Sequence, residues 1–188
     1  EKNRSIADAL GKVTEVAVNL PAGFEPEIGW LSEITVGSDD KGNLLAYGLS
    51  GEVTTLYQFD VSDDSMKKTG PWIPLTPKDD KGTVIDEFLD VSVSSDGTLV
   101  ILDDDGIAYL YDFAKKYFVM LSPGKENKRF DSIAAGNKND IWAVTRTGDV
   151  YEHVAEGWVE RGKELNAIAI AVGLDGTVVS LREDGNAF

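Results

Sequence analysis

The sequence predicts an all-β fold, a β-propeller built from about four four-stranded blades of roughly 45 residues each. Three observations support this prediction: one motif of strands and glycine turns occurs four times, the mean spacing of its copies is about 45 residues, and helical periodicity is almost absent. The chain has 188 residues and 42% hydrophobic content, which suits a folded repeat domain and excludes a disordered acidic tail.

The repeated motif consists of a first strand, a Gly or Asp-Gly turn, a second strand, a second Gly turn and a third strand. In each strand Val, Ile, Leu and Tyr alternate with small or polar residues, which is the two-residue period of a half-buried strand. Asp96-Gly97 is a typical turn dipeptide, because glycine accepts a positive φ at little cost. The predicted blade-like units of the single domain 1–188 are approximately 28–75, 88–121, 130–161, and 165–188 completed by 12–31.

One apolar residue near the middle of each first strand marks the repeat, namely Ile34, Val91, Ile133 and Ile168. Their spacings are 57, 42 and 35 residues, so the mean is about 45, the length of a four-stranded blade. The first spacing is long because residues 60–86 form an insertion that carries three of the six prolines. Within the insertion, Pro74 suits an edge strand, since its missing N–H would interrupt a central hydrogen-bond ladder.

The two ends of the sequence have matching phase in the repeat. Residues 11–15 resemble residues 148–152, so the sequence begins near the start of a third strand. In one arrangement, strands at 12–18 and about 28–31 complete the blade begun by residues 165–188, which closes the ring and hides a sheet edge. In the other arrangement, the four units belong to a larger ring. The sequence leaves both arrangements open.

The strongly acidic composition limits the classes of binding partner. The net charge is −15, from 33 acidic and 18 basic residues, so nucleic-acid phosphate and anionic membrane surfaces are repelled. No apolar run approaches the roughly 20 residues needed to cross a bilayer. We therefore expect no nucleic-acid partner and no membrane insertion. The chain has no cysteine, which removes disulfides, thiolate zinc sites and cysteine nucleophiles together.

The C-terminal third of the chain carries a more specific sequence motif. It reads Ser-Ile-Ala-Ala-Gly at 132–136, Asp-Ile-Trp-Ala-Val at 140–144, Thr-Gly-Asp-Val-Tyr at 147–151 and Gly-Trp-Val at 157–159. This motif resembles the tectonin-type repeat, the family that includes tachylectin-like lectins. The earlier units depart from it, because Tyr47 and Ile101 stand near the position of Trp142, and the last unit has Val179 there. The resemblance implies a lectin-like propeller that binds glycans through blade loops.

A sugar site needs an aromatic face for the apolar side of the ring, together with amides or carboxylates for paired hydroxyls. The predicted ligand-binding residues have these types and are Asn137, Asn139, Asp140, Trp142 and Arg146. The competing interpretation is structural: the Asn and Asp residues form a turn, and Trp142 belongs to the blade core.

The sequence contains little that supports an enzymatic or metal-dependent function. The acidic clusters at 39–43 and 103–106 do not fit the twelve-residue calcium loop, so we interpret them as solvated turns and expect no metal. A single histidine, His153, cannot build a multi-histidine metal site, and no Gly-x-Ser-x-Gly elbow is present. We therefore expect no catalytic residues, no cofactor and no enzymatic activity.

The alternative function is a protein-interaction scaffold. The insertion 60–86 would then supply an apolar contact patch of Trp72, Ile73, Pro74 and Leu75. The two functions predict different surfaces. A lectin should have similar polar and aromatic pockets in several blades, whereas a scaffold should have one asymmetric patch near the insertion.

Overall fold

The computed structural model describes residues 31–39, 41–50, 55–60, 73–121, 128–163, 165–173 and 175–188. These residues form three four-stranded antiparallel sheets and a fourth sheet of two strands, with no helix in the described ranges. The prediction of an all-β fold is confirmed. The proposed closing strands at 12–18 and 28–30, and Trp72 of the predicted patch, lie outside the described residues.

We call the four sheets the first to fourth blades, in chain order. The first contains β1 Leu31–Ser38, β2 Leu44–Ser50, β3 Leu56–Asp60 and β4 Ile73–Pro74. The second contains β5 Phe88–Val93, β6 Leu99–Asp103, β7 Ala108–Asp112 and β8 Tyr117–Met120. The third contains β9 Phe130–Asn137, β10 Asp140–Thr145, β11 Val150–Val154 and β12 Gly157–Gly162. The fourth contains β13 Ala167–Val172 and β14 Val178–Arg182.

Two details at the sheet edges follow from the sequence. Pro74 lies in β4, the outer strand of the first blade, where a missing N–H leaves the central ladder intact. In the fourth blade, the residues after β14 turn back along it. Ser180 and Phe188 exchange both backbone hydrogen bonds, at 2.9 and 3.0 Å, so a third chain segment begins to pair with this sheet.

The blades are arranged about a common axis with their first strands innermost. β1 contacts β5, β5 contacts β9 and β9 contacts β13. These four strands together line an axial cavity of about 340 Å³. Sheets that radiate from a shared axis in chain order are the architecture of a β-propeller, so the predicted fold class is confirmed.

The hydrophobic core lies between successive blades. β6 shows why, because all four residues from Leu99 to Leu102 are buried. Side chains alternate across a strand, so Leu99 and Ile101 pack in the cluster shared with the first blade, while Val100 and Leu102 pack in the cluster shared with the third. A continuous apolar run is therefore the sequence signature of a strand with a blade on each face.

Side chains of one blade also satisfy backbone groups of the next. The inner strands are sheet edges, so the N–H groups that point away from their own sheet need other acceptors. Thr35 Oγ1 accepts from the Val93 N–H at 3.3 Å. Ser92 Oγ accepts in the same way from the Ala135 N–H at 3.2 Å. The same relation therefore joins the first blade to the second and the second to the third.

The second Gly turn of a blade meets the entry of the next blade. Gly148 has a φ of +79°, and its carbonyl accepts from the Ala167 N–H at 3.3 Å. A Cβ at this position would lie 2.6 Å from the Asn166 Cα, which is backbone that cannot give way easily. Gly106 stands in the same relation to Phe130. The recurring glycine therefore reflects both a left-handed turn and a close approach between blades.

Candidate functional site

The residues predicted to bind sugar lie along β10 and the turn that leads into it. Asn137 Oδ1 accepts from the Asn139 N–H at 2.9 Å, which stabilises the β9–β10 turn. Asp140 and Trp142 follow in β10. Arg146 comes after the last residue of β10, and its Nε lies 3.3 Å from the Asp131 carboxylate. Six residues of extended strand separate Arg146 from Asp140 by about 20 Å, so the structure places this arginine at the opposite end of the strand.

Trp142 is engaged within the fold. Its Nε1 donates to Asp140 Oδ1 at 2.6 Å. Its ring packs, partly buried, against the cluster between the third and fourth blades, which includes Val144 and Ile170. The structure thus joins Asp140 and Trp142 by a hydrogen bond and gives the tryptophan a packing role. Glycan binding by these residues stays a prediction.

A different concave surface lies between the first and second blades. Its volume is about 290 Å³. We call it the aromatic groove, and its principal apolar residues are Leu45, Tyr47, Leu75, Tyr111, Phe113 and Phe118. Its polar residues are Asp39, Gln58, Thr76, Lys78 and Lys116. The groove therefore combines an aromatic wall with charged groups of both signs.

The aromatic wall is built by register and packing. Tyr111 on β7 is directly opposite Phe118 on β8, and their ring centroids are 4.9 Å apart. Phe113 packs edge-on against Tyr111 with a centroid distance of 4.7 Å. Tyr47 on β2 of the neighbouring blade belongs to the same hydrophobic cluster. Rings held from both blades give the groove a fixed shape.

The connection between the blades forms the opposite side of the groove. Its Leu75 N–H donates to the Leu56 carbonyl of the first blade at 2.8 Å. Its Lys78 carbonyl accepts from the Phe118 N–H of the second blade, also at 2.8 Å. The segment 75–78 comes from the insertion whose apolar residues suggested a contact patch. Leu75 of that patch lines the groove, whereas the Ile73 side chain is exposed on the outer strand.

The Tyr47 side chain brings a hydroxyl group to the aromatic groove. The residue is only 2% exposed, and its hydroxyl forms no hydrogen bond with any residue that the structure describes. Burial raises the pKa of Tyr47, and the neighbouring Tyr111 and Asp39 add to this effect, so the hydroxyl keeps its proton. Tyr47 lines the groove, so its hydroxyl is available to a ligand. An acceptor atom on a bound ligand would satisfy it.

The charges of the groove are not equivalent. The Asp39 carboxylate accepts from the Asn43 side chain at 2.7 Å and from the Asn43 and Lys41 N–H groups at 2.8 and 2.9 Å, and these bonds lower its pKa. Lys78 and Lys116 are exposed, and neither forms an ion pair with a residue in the described ranges. The Asp39 carboxylate is thus bonded within its own turn, whereas the two lysines have no ion-pair partner in the part of the chain that the structure describes.

Other polar clusters have structural explanations. Asp103 accepts from the Ile107 N–H at 2.7 Å and from the Tyr109 hydroxyl at 3.2 Å. His153 packs edge-on against Trp158 at 5.1 Å, and burial lowers its pKa. Among the described residues, no group of three or more His, Cys, Asp or Glu is arranged to hold a metal ion. The same ranges contain no helix long and apolar enough to span a membrane.

Comparison with known proteins bears on the fold. No protein-family model matches the sequence, the tectonin family included, and no curated protein matches it. Among solved structures 134 chains match, so the fold is shared although the sequence is divergent. One is a β-propeller described as "YCF48 bound to D1 peptide", with a TM-score of 0.55 and 15% identity. The match covers 84% of this chain and 50% of that one, so this chain spans about half its length. Likeness at this identity concerns the fold alone, and the chain has a β-propeller fold.

Proposed function

We propose that this chain is a non-enzymatic propeller scaffold that binds a peptide segment of another protein in the aromatic groove. The observation that carries the proposal is the position of the groove. It lies beside the insertion that lengthens the connection between the first two blades, and residues 75–78 of that insertion form one side of it. A site beside the insertion is what the scaffold interpretation predicts.

The size and composition of the groove favour peptide side chains as ligands. Its volume of about 290 Å³ is near the lower limit of pockets that enclose a drug-sized molecule, which begin at roughly 300 Å³. One or two apolar side chains of a peptide fit such a space. Tyrosine and other aromatic residues at the centre of an interface, with a polar rim, supply most of the binding energy in protein complexes.

The structural neighbour gives independent support. YCF48, which shares the propeller fold, is described as bound to a D1 peptide. A propeller of similar blade arrangement therefore serves as a peptide-binding scaffold in at least one other protein. At 15% identity no residue of a binding site is carried over, so the location proposed for this chain rests on its own groove.

Glycan binding is the competing proposal, and it rests on the tectonin-like motif between residues 130 and 188. A glycan array with the purified chain, with and without calcium, tests it directly. Saturable binding to a narrow group of sugars would favour the lectin function. The packing of Trp142 between blades is the observation that makes us prefer the peptide.

Peptide binding is tested by selection from a displayed random peptide library against the full chain. Thr76→Trp introduces a bulky, uncharged side chain at an exposed position in the groove. Met120→Trp is the matched control, because Met120 is also exposed but does not line the groove. We expect selected peptides to lose affinity for Thr76→Trp and to keep it for Met120→Trp. Absence of any binder to the folded chain, or equal affinity for both variants, would reject the proposal.

A further inference from the structure

Three side chains that line the aromatic groove, Tyr47, Lys78 and Lys116, carry hydrogen-bond donors. The Tyr47 hydroxyl has no partner among the described residues, and Lys78 and Lys116 carry unpaired ammonium groups in the same ranges. The Asp39 carboxylate is already held by three hydrogen bonds from its own turn. A ligand that fills this groove therefore meets two cationic donors and the Tyr47 hydroxyl.

The two lysines lie close to each other in the fold. The Lys78 carbonyl is bonded to the Phe118 N–H at 2.8 Å, and Lys116 precedes Phe118 by two residues. Lys116 also sits in the β7–β8 turn, where its φ of +61° and the bond from its N–H to the Asp112 carbonyl at 2.7 Å fix its backbone. Both lysines therefore line the groove from anchored backbone.

The two lysines of the groove belong to a strongly acidic chain. Acidic residues outnumber basic ones by 33 to 18, and several cations are paired. The nearby Lys115, for example, lies 3.2 Å from the Asp112 carboxylate. Two lysines that form no ion pair with a described residue, beside an aromatic wall, form a local positive site on an acidic protein. Charge complementarity at such a site selects one class of partner and disfavours the others.

On the basis of the proposed function, we infer that the peptide recognised in the aromatic groove is acidic. An Asp or Glu carboxylate lies next to a large apolar side chain in its sequence. The apolar side chain packs against Tyr111 and Phe118. The carboxylate lies between Lys78 and Lys116, and the Tyr47 hydroxyl donates to a peptide oxygen. Because the rest of the surface repels an acidic partner, binding depends on these local contacts.

Two pools of end-capped random peptides test this inference. Each has a fixed central Leu, and the adjacent positions are Glu in one pool and Gln in the other. Immobilised full-length chain is exposed to both pools, and the retained peptides are quantified by mass spectrometry. We expect retention of the Glu pool to exceed that of the Gln pool several-fold, because Gln lacks the charge and each ion pair to an exposed lysine contributes only modestly.

Variants assign the preference to named groups. In the double variant Lys78→Met and Lys116→Met, the ratio of Glu to Gln retention should fall to about one. In the control Lys115→Met it should stay unchanged, because that lysine is paired with Asp112. Tyr47→Phe should lower retention of both pools several-fold, and thermal unfolding verifies that this conservative variant is folded.

The outcomes separate this inference from the proposed function. Equal retention of the two pools by the unmodified chain overturns the inference of an acidic ligand but leaves peptide binding in place. A preference for Glu that survives the double lysine variant overturns the assignment to Lys78 and Lys116. Retention of neither pool by a folded, monodisperse chain overturns the inference and the proposed function together.

Discussion

The Glu33 carboxyl group on β1 donates a hydrogen bond to the Asp90 carboxylate on β5, so an acid pair joins the inner strands of the first and second blades. Asp90 also accepts from the Ile133 N–H on β9 at 2.8 Å. One buried carboxylate therefore connects three blades beside the axial cavity. Two neighbouring carboxyl groups share a proton in a buried site, because both cannot ionise there at low cost.

This acid pair predicts how stability depends on pH. Burial, together with the bond to Asp90 and its negative charge, raises the pKa of Glu33 from 4.5 to about 9. Between these values Glu33 is protonated in the folded chain and ionised in the unfolded chain, so unfolding releases a proton. The stabilisation is fully present below pH 4.5 and is lost as the pH rises through about 9. Urea unfolding at several pH values across this window measures the expected decline.

The variant Glu33→Gln isolates that contribution, because its amide still donates to Asp90 but does not titrate. We expect the free energy of unfolding of this variant to vary less with pH between 4.5 and 9 than that of the unmodified chain. Glu156→Gln, at an exposed turn position, is the control and should keep the original slope. Equal slopes for Glu33→Gln and the unmodified chain would show that the pair does not control the pH dependence.

Ser92 predicts a second measurable effect on stability. Its Oγ accepts from the Ala135 N–H of the next blade at 3.2 Å, so Ser92→Ala leaves that N–H without an acceptor. The expected loss is about 1–2 kcal/mol in the free energy of unfolding. Ser92→Thr should recover most of the loss, because Thr35 plays the same role on β1. Ser95→Ala, in an exposed turn, should change stability by less than about 0.5 kcal/mol. An equal effect of the two alanine variants would contradict this role for Ser92.

A pair of glycines separates backbone strain from close contact. Gly82 and Gly148 have φ values of +83° and +79°. Nothing lies within 4 Å of a Cβ at Gly82, whereas a Cβ at Gly148 meets backbone of the next blade at 2.6 Å. Gly82→Ala should therefore cost only the strain of a left-handed alanine, about 1–2 kcal/mol. Gly148→Ala adds a clash and should cost roughly 3 kcal/mol or more by chemical denaturation. Similar losses for the two variants would show that the blades separate easily at this point.

Local chemistry explains why the strands and turns were predictable. The two-residue period and the glycine turns act over a few neighbouring positions, and β6 and its Asp96-Gly97 turn follow from them directly. The sequence also shows polar residues within the apolar inner strands. Thr35 and Ser92 interrupt apolar strands at equivalent places, and the structure explains them as acceptors for the next blade.

The aromatic groove was not predictable in the same way. Tyr47 and Tyr111 are far apart in sequence and meet only because two blades pack face to face. The sequence pattern treated Tyr47 as the equivalent of Trp142, but burial of its ring and the missing partner of its hydroxyl are properties of the assembled blades. Proximity of Lys78 and Lys116 likewise depends on the path of the connection between blades. Only the contact patch that contains Leu75 pointed to this region.

Asp140 gives the prediction that separates glycan binding from a packing role. Its Oδ1 accepts from Trp142 Nε1 at 2.6 Å, so Asp140→Ala removes the acceptor of a partly buried indole. We expect a loss of about 1–2 kcal/mol in the free energy of unfolding. Asp140→Asn keeps an acceptor oxygen and should recover most of that stability. Thermal unfolding and a glycan array are run on both variants in parallel. If Asp140→Asn abolishes saturable sugar binding while the fold stays intact, Asp140 is a ligand-binding residue, and the lectin function gains the support that the packing of Trp142 does not provide.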